Sequence, residues 1–242
     1  MSAVTGQALA GHHALVTGAS RGIGRAIAEA LGGAGAQLTL VARGVGALHD
    51  AATAIGGQAS IASCDVTDAV AVAALVESLS AAGHAPDILV NNAGLFPLAM
   101  LDVMDPVEFE RAIRVNLVAP FYVLRALLPA MKTRGAGHVV TIGSVADRTV
   151  IAGNGAYAAS KHGQRAMQEV LRQELRGTGV RSTLVSPAAT DTPIWDAIDP
   201  DNRPGFPTRA SMLRPADVAQ AVLWAVTRPA HVNVDEVRLS SS

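Results

Sequence analysis

Two tyrosines and two lysines occur in this chain of 242 residues, and one of each stands four apart as Tyr157-Ala-Ala-Ser-Lys161. Residues at that spacing share one face of a helix. A phenol ionises near pH 10, too high for acid–base work at neutral pH, and a neighbouring ammonium favours the phenolate. The pair therefore reads as a proton-transfer device: Tyr157 the acid or base, Lys161 the charge that lowers its pKa. Chance gives any Tyr-x-x-x-Lys in such a chain only roughly 2% of the time. Arginine fills nearly every other basic position, so a lysine kept at 161 suggests a need for a compact ammonium. The other lysine, Lys132, has no comparable reading.

A second group of residues has the chemistry of a phosphate cradle. Thr17-Gly-Ala-Ser-Arg-Gly-Ile-Gly24 joins a strand to a helix. Gly18 permits a tight turn, Gly22 lets backbone approach a pyrophosphate, and Gly24 lets the helix pack on the strand, with Ser20 and Ile23 inside the turn. The helix N-terminus then offers free N–H groups and the positive end of its dipole. The spacing is G-x-x-x-G-x-G, so the usual dinucleotide fingerprint is not met. The following strand ends Val41-Ala42-Arg43, with no acid at its tip to hold a ribose hydroxyl. Arg43, with Arg21 in the turn, suits a 2′-phosphate because a guanidinium donates two parallel hydrogen bonds. NADP(H) is the cofactor this pattern favours. Asp65, after the third strand, is placed either to cap an adenine amine or to hold a turn.

Three polar positions could join this chemistry, each with a plainer alternative. Ser144 ends a strand, where ligands of open parallel sheets lie; it is either a carbonyl-binding hydroxyl or a helix cap. Asn116 lies between two helical stretches, capping one or holding a water. Asn91-Asn-Ala-Gly94 follows a strand and is otherwise only a loop.

The elements needed to position these residues can be read from periodicity. Strands are expected at 13–17, 37–42, 59–63, 87–90, 137–143, 180–186 and 232–239. Helices are expected from the glycine turn to about Leu31, then at 45–55, 68–81, 106–116, 117–134, 156–176 and 215–227, the third capped by Thr67. Short apolar strands alternating with helices imply an α/β fold, a doubly wound, Rossmann-like parallel sheet in a single domain. The Pro-rich segment 188–212 reads as a loop over a pocket.

Composition narrows the function classes. Half the residues are hydrophobic and the net charge is −1, so disorder is disfavoured and no nucleic-acid footprint is evident. The single cysteine, Cys64, forms no intrachain disulfide and no Cys-rich metal site, and no metal is expected. Residues 1–11 contain no basic residue or signal-like apolar run, and no stretch approaches the roughly 18 consecutive apolar residues of a membrane span. A cytoplasmic protein without a membrane partner is the expectation.

Together these motifs resemble the short-chain dehydrogenase/reductase family in its single-domain form. The similarity runs from about His12 to Leu239 and is carried by the glycine turn, Asn91-Asn-Ala-Gly94, Asn116, Ser144 and Tyr157-x-x-x-Lys161, in order and at the usual distances. The resemblance implies that Tyr157 exchanges the proton of a carbonyl or alcohol, that Lys161 lowers its pKa and holds the nicotinamide ribose, that Ser144 polarises the carbonyl, and that Asn116 holds a water. It also implies that Asp65 and Val66 flank adenine, that Asn92, Ala93 and Gly94 line the cofactor cleft, and that Pro187 and Thr192 lie near the carboxamide. Two departures stand out. Ala188 replaces a frequent glycine after Pro187, which would be strained at positive φ. The C-terminal stretch looks more like the branch acting on 3-hydroxy acids and small alcohols than like 3-oxoacyl-carrier-protein reductases.

The small-molecule carbonyl or alcohol is expected on Tyr157, lined by Phe96, Ile194, Trp195 and Met212. Arg148 is either a partner for a substrate carboxylate or a solvated arginine. A non-catalytic NADP(H)-binding regulatory protein and a plain interaction module are the competing readings; four intact catalytic positions argue against the first, and the second leaves the Tyr–Lys pair and the arginines unexplained. The resemblance also implies a homodimer or homotetramer, through helices 106–134 and 156–176 and a second contact at Trp224 and the last strand.

Overall fold

The computed structural model describes residues 7–242; the signal-peptide reading at the N-terminus lies partly outside them. Apolar runs give seven strands: β1 (His13–Thr17), β2 (Gln37–Ala42), β3 (Ala59–Ser63), β4 (Ile88–Asn91), β5 (Gly137–Ile142), β6 (Val180–Pro187) and β7 (Glu236–Leu239). They form one parallel sheet in the order β3-β2-β1-β4-β5-β6-β7. The chain winds outward from β1 to β3, then returns to pair β4 with β1. The order therefore reverses between β1 and β4, and a crevice opens beyond their carboxyl ends.

The helices are α1 (Gly22–Gly33), α2 (Val45–Ile55), α3 (Ala69–Ala81), α4 (Pro106–Ile113), α5 (Ala119–Arg134), α6 (Gly155–Glu174) and α7 (Pro215–Val226). One core packs Ile27, Leu31, Val218 and Val222 of α1 and α7 on one face of the sheet. The other packs Val72, Val123, Leu127 and Leu171 of α3, α5 and α6 on the opposite face. Burying both faces explains why the central strands are continuously apolar rather than alternating.

Several boundaries differ from the expected ones for local reasons. Asp68, not Thr67, caps α3: its Oδ1 accepts from Val70 N at 2.8 Å and Ala71 N at 3.2 Å. Thr67 is itself held by Asp65 Oδ1, at 2.9 Å through its backbone N–H and 2.8 Å through its hydroxyl. The two expected helices 106–116 and 117–134 are one run, joined by a π turn at Arg114–Val118. At 29 residues that run is long and apolar enough by composition to cross a membrane; here it packs on α3, α6 and the sheet. The last strand starts at Glu236 rather than 232 because the Asn233 amide bonds to Ser182 N and O, standing in for ladder hydrogen bonds. Among the described residues Asp199 is the only non-glycine with positive φ. Ala188 is therefore unstrained, and its N–H donates to Leu239 O at 2.8 Å.

Candidate active site

The glycine turn leaves β1 at the switch point and is locked there by β4. Thr17 Oγ1 accepts from Asn92 N at 3.0 Å and Ala93 N at 3.1 Å, and Asn92 Nδ2 donates to Thr17 O at 2.9 Å. A Cβ on Gly24 would stand 2.3 Å from Gly18 O, closer than atoms can pack. Gly24 thus serves helix–strand packing, as expected, and does not line the cleft. Gly22 has φ 57°, a conformation a side chain would strain. The cap residue of α1, Arg21, makes no side-chain bond to the helix N–H groups, which leaves those donors to an anion.

A cleft of about 960 Å³ runs from this turn across the carboxyl edge of the sheet. At one end it is lined by Gly18, Ser20, Arg21, Gly22, Ile23, Arg43, Asp65 and Val66; Asn92, Ala93 and Gly94 follow; Ser144, Tyr157, Lys161, Pro187 and Thr192 lie at the other. Phe96, Ile194 and Trp195 also reach it. The expected site residues are thus gathered along one cavity, with three exceptions besides Gly24. Met212 is buried and off the cleft wall. Arg148 is partly exposed but not free for a substrate: it pairs with the fully buried Asp147 at 2.6 Å and with Glu236 at 2.7 Å. Asn116 is fully buried in the π turn, and its amide caps no helix. It accepts from Leu95 N at 2.9 Å and donates to Leu95 O at 2.9 Å and Ser160 Oγ at 3.0 Å, tying the β4 loop to α6.

Arg21 and Arg43 are both exposed at the cleft mouth. Among the described residues neither is in an ion pair. Asp65 is held ionised mainly by the Thr67 N–H and hydroxyl, with a smaller pull from Arg43. It thus holds a turn while also lining the cleft.

At the far end, Ser144 caps the short turn Val145–Asp147, accepting from Ala146 N at 3.1 Å, and so combines the cap with a place on the wall. Tyr157 is partly buried. Burial pushes its phenol up, and the Ser144 hydroxyl pulls it partly back. Asp147 adds to the upward push, and the expected downward pull of Lys161 is not among the causes of the shift. The lysine's Nζ stands 5.7 Å from the ring centroid and donates to Ile142 O at 2.8 Å and Gln164 Oε1 at 3.0 Å. Burial holds the Lys161 ammonium down at about 8, against the upward pull of Asp147.

Two of these partners, Gln164 and Asp147, were not among the expected site residues. Gln164 had a readable signal: Tyr157, Lys161, Gln164 and Gln168 recur at i, i+4, i+7 and i+11, a polar stripe on the inward face of α6. Asp147 had none, because a carboxylate three residues after Ser144 reads as a loop acid.

The Lys161 value has a consequence for stability. An unfolded lysine keeps its proton to about 10.5, so between pH 8 and 10.5 the unfolded chain binds more protons and stability must rise with pH. The unfolding free energy of the ligand-free wild type, minus that of Lys161→Met, is expected to climb by up to about 1.4 kcal/mol per pH unit across that window. It is expected to be flat below pH 8. A flat difference throughout, from denaturant melts, would contradict the buried-ammonium assignment.

A parallel sheet with a glycine cradle at its switch point, and a Tyr–Lys pair at the other end of one cleft, defines a dinucleotide-dependent oxidoreductase. Comparison with known proteins agrees: the family model for short chain dehydrogenases matches residues 12–203. The chain belongs to the short-chain dehydrogenase family, which makes it an NAD(P)-dependent oxidoreductase acting on alcohol or carbonyl groups. It is 38% identical over 95% of its length to a glycine betaine reductase of Emericella nidulans, of which it spans only 18%. It is 36% identical to an uncharacterized oxidoreductase of Staphylococcus saprophyticus, covering 93% of this chain and 94% of the other. A metagenomic short-chain oxidoreductase crystallised with NADP superposes with a TM-score of 0.84 at 36% identity, covering 98% and 99% of the two chains.

Proposed function

We propose that the chain is an NADP(H)-dependent carbonyl reductase or alcohol dehydrogenase with Tyr157 as its general acid and base. The observation carrying this reading is the single cleft that joins unpaired arginines at one end to a Tyr157–Lys161–Ser144 cluster at the other. The cleft fits the cofactor on two counts: the α1 N–H groups have no side-chain cap, and two exposed guanidinium groups stand at its mouth. The related structure solved with NADP supports the same choice.

The bound nicotinamide would supply or accept the hydride. Arg21 and Arg43 would hold the 2′-phosphate, the α1 N-terminus the pyrophosphate, and Lys161 the nicotinamide ribose, with Pro187 and Thr192 beside the carboxamide. The Tyr157 hydroxyl gives its proton to the carbonyl oxygen in reduction and takes it back in oxidation. A phenol whose pKa burial raises stays protonated at neutral pH, the form needed for reduction. Ser144 donates to the same oxygen from the β5 edge. Lys161 keeps positive charge beneath the ring, where it favours the phenolate left after transfer. Asn116 and Gln164 are positioning residues, fixing the Leu95 loop and the lysine head.

Incubation with NADPH and a panel of ketones and aldehydes tests the proposal: loss of nicotinamide absorbance dependent on the carbonyl is expected. Stable NADPH in every case, and unreactive alcohols with NADP+, would contradict it.

A cytoplasmic homodimer or homotetramer completes the reading. Val107, Phe121 and Val170 expose apolar surface on the helices expected at the interface, and Trp224 does so on α7. Sedimentation at micromolar concentration is expected to give a mass of two or four chains; a monomer would contradict the assembly.

A further inference from the structure

We propose that the substrate end of the cleft selects an uncharged carbonyl compound bearing an aryl or similarly bulky apolar group beside the reacting carbon, and rejects the matching carboxylate. The inference rests on the reading of Tyr157 as the proton-transfer group.

A row of aromatic rings begins at Tyr157. Phe96 meets Tyr157 edge-on at 4.6 Å, Trp195 meets Phe96 at 5.2 Å, and Phe206 meets Trp195 at 6.2 Å. The indole is fixed, its Nε1–H donating to Thr190 O at 3.0 Å, so it presents hydrocarbon rather than a donor. Leu98, Ile151 and Ile194 extend the same apolar wall. An aryl group laid along this row exchanges water for ring edges and faces.

Of the arginines around this end, Arg148, Arg209 and Arg111 are held by carboxylates and Arg203 by an aromatic face, while the exposed Arg114 is in no ion pair among the described residues. Arg148, four residues after Ser144, lies between two carboxylates. Its Nε is 2.6 Å from Asp147 and its guanidinium 2.7 Å from Glu236, while Asp147 also takes the Ser186 hydroxyl at 2.6 Å. A substrate carboxylate would have to displace Glu236 and face the fixed charge of Asp147. Arg209 on the 188–212 loop is paired with Asp191 at 2.6 Å and Asp196 at 2.7 Å. Arg203 stacks on Phe206 at 5.0 Å. Arg111 pairs with Glu108 at 3.1 Å, and Arg114 is exposed on the α4 side of the cleft. A carboxylate beside Tyr157 therefore loses water and meets no unpaired arginine but Arg114, whose exposed position on the α4 side leaves its charge screened by solvent. A cationic group fares no better, because Asp147, Asp191 and Asp196 are themselves paired.

Ethyl benzoylformate and benzoylformate carry the same reacting ketone and differ in one charge. With NADPH and wild-type enzyme, kcat/KM is expected to favour the ester by about 10²-fold or more. Phe96→Ala is expected to lower the ester's kcat/KM by about 10-fold or more, with NADPH affinity unchanged. An acid reduced as well as the ester overturns the proposal, whether Arg114 or a displaced Arg148 captures it. So does preference for a ketone bearing a trimethylammonium group. If neither ketone turns over, Trp195 fluorescence in Trp224→Phe protein saturated with NADP+ separates the two failures. Binding of N-ethylbenzamide but not benzoate would uphold the charge selection and sink the proton-transfer reading. Preference for benzoate, or binding of neither, would sink the selection itself.

Discussion

Replacing Tyr157 by phenylalanine is expected to lower kcat by about 10³-fold or more while NADPH binds with unchanged affinity. The substitution removes one oxygen and no ring. Phenylalanine keeps the edge contact with Phe96 at 4.6 Å and the lysine beneath the ring, so the cleft should keep its shape. What disappears is the proton donor, and among the described residues the nearest replacement is Ser144, a hydroxyl already accepting from Ala146 N at 3.1 Å and of much higher pKa. Steady-state rates and equilibrium binding on the same preparation separate the two effects. Loss of binding together with rate would mean a structural defect. Retention of more than about a tenth of the rate would remove Tyr157 from its role.

The second large effect concerns the cofactor. Removing both Arg21 and Arg43 by alanine substitution is expected to weaken NADPH binding by about 10²-fold and NADH binding hardly at all. A hydrogen bond to a charged group contributes about 1.5–3 kcal/mol, and about 1.4 kcal/mol is a factor of ten. Both arginines are exposed, so the lower end of that range applies, and raising the salt concentration should narrow the wild-type preference further. Calorimetric titration of wild type and double variant with each nucleotide measures it. Equal losses for NADPH and NADH would show that the arginines bind the pyrophosphate or hold the turn, rather than reading the 2′-phosphate.

How much of this was legible in the sequence depended on whether a residue's role was local. The glycine turn and the Tyr157–Lys161 spacing were readable because a turn and one helical repeat fix the geometry within a few residues. The parallel sheet was readable for a related reason: strands covered on both faces must be apolar throughout. The errors came where a side chain answers to a distant partner. Arg148 looked free because Glu236 lies 88 positions away in sequence and meets it only through the β6–β7 pairing. The strand expected from 232 begins at Glu236 because a single asparagine, Asn233, takes over the backbone bonds of Ser182. Thr67 and Asp68 are both good caps, and the choice between them fell to Asp65, which holds Thr67 in a turn of its own. Asn116 follows the same rule, its amide satisfied by Leu95 and Ser160, 21 and 44 residues away.

The most direct test of the central claim needs no substrate. Purified protein titrated with NADPH and separately with NADH, followed by nicotinamide fluorescence, is predicted to bind both in the same cleft and NADPH the more tightly. Tighter binding of NADH would contradict the assignment of Arg21 and Arg43, and binding of neither nucleotide would contradict the account of the cleft as a whole.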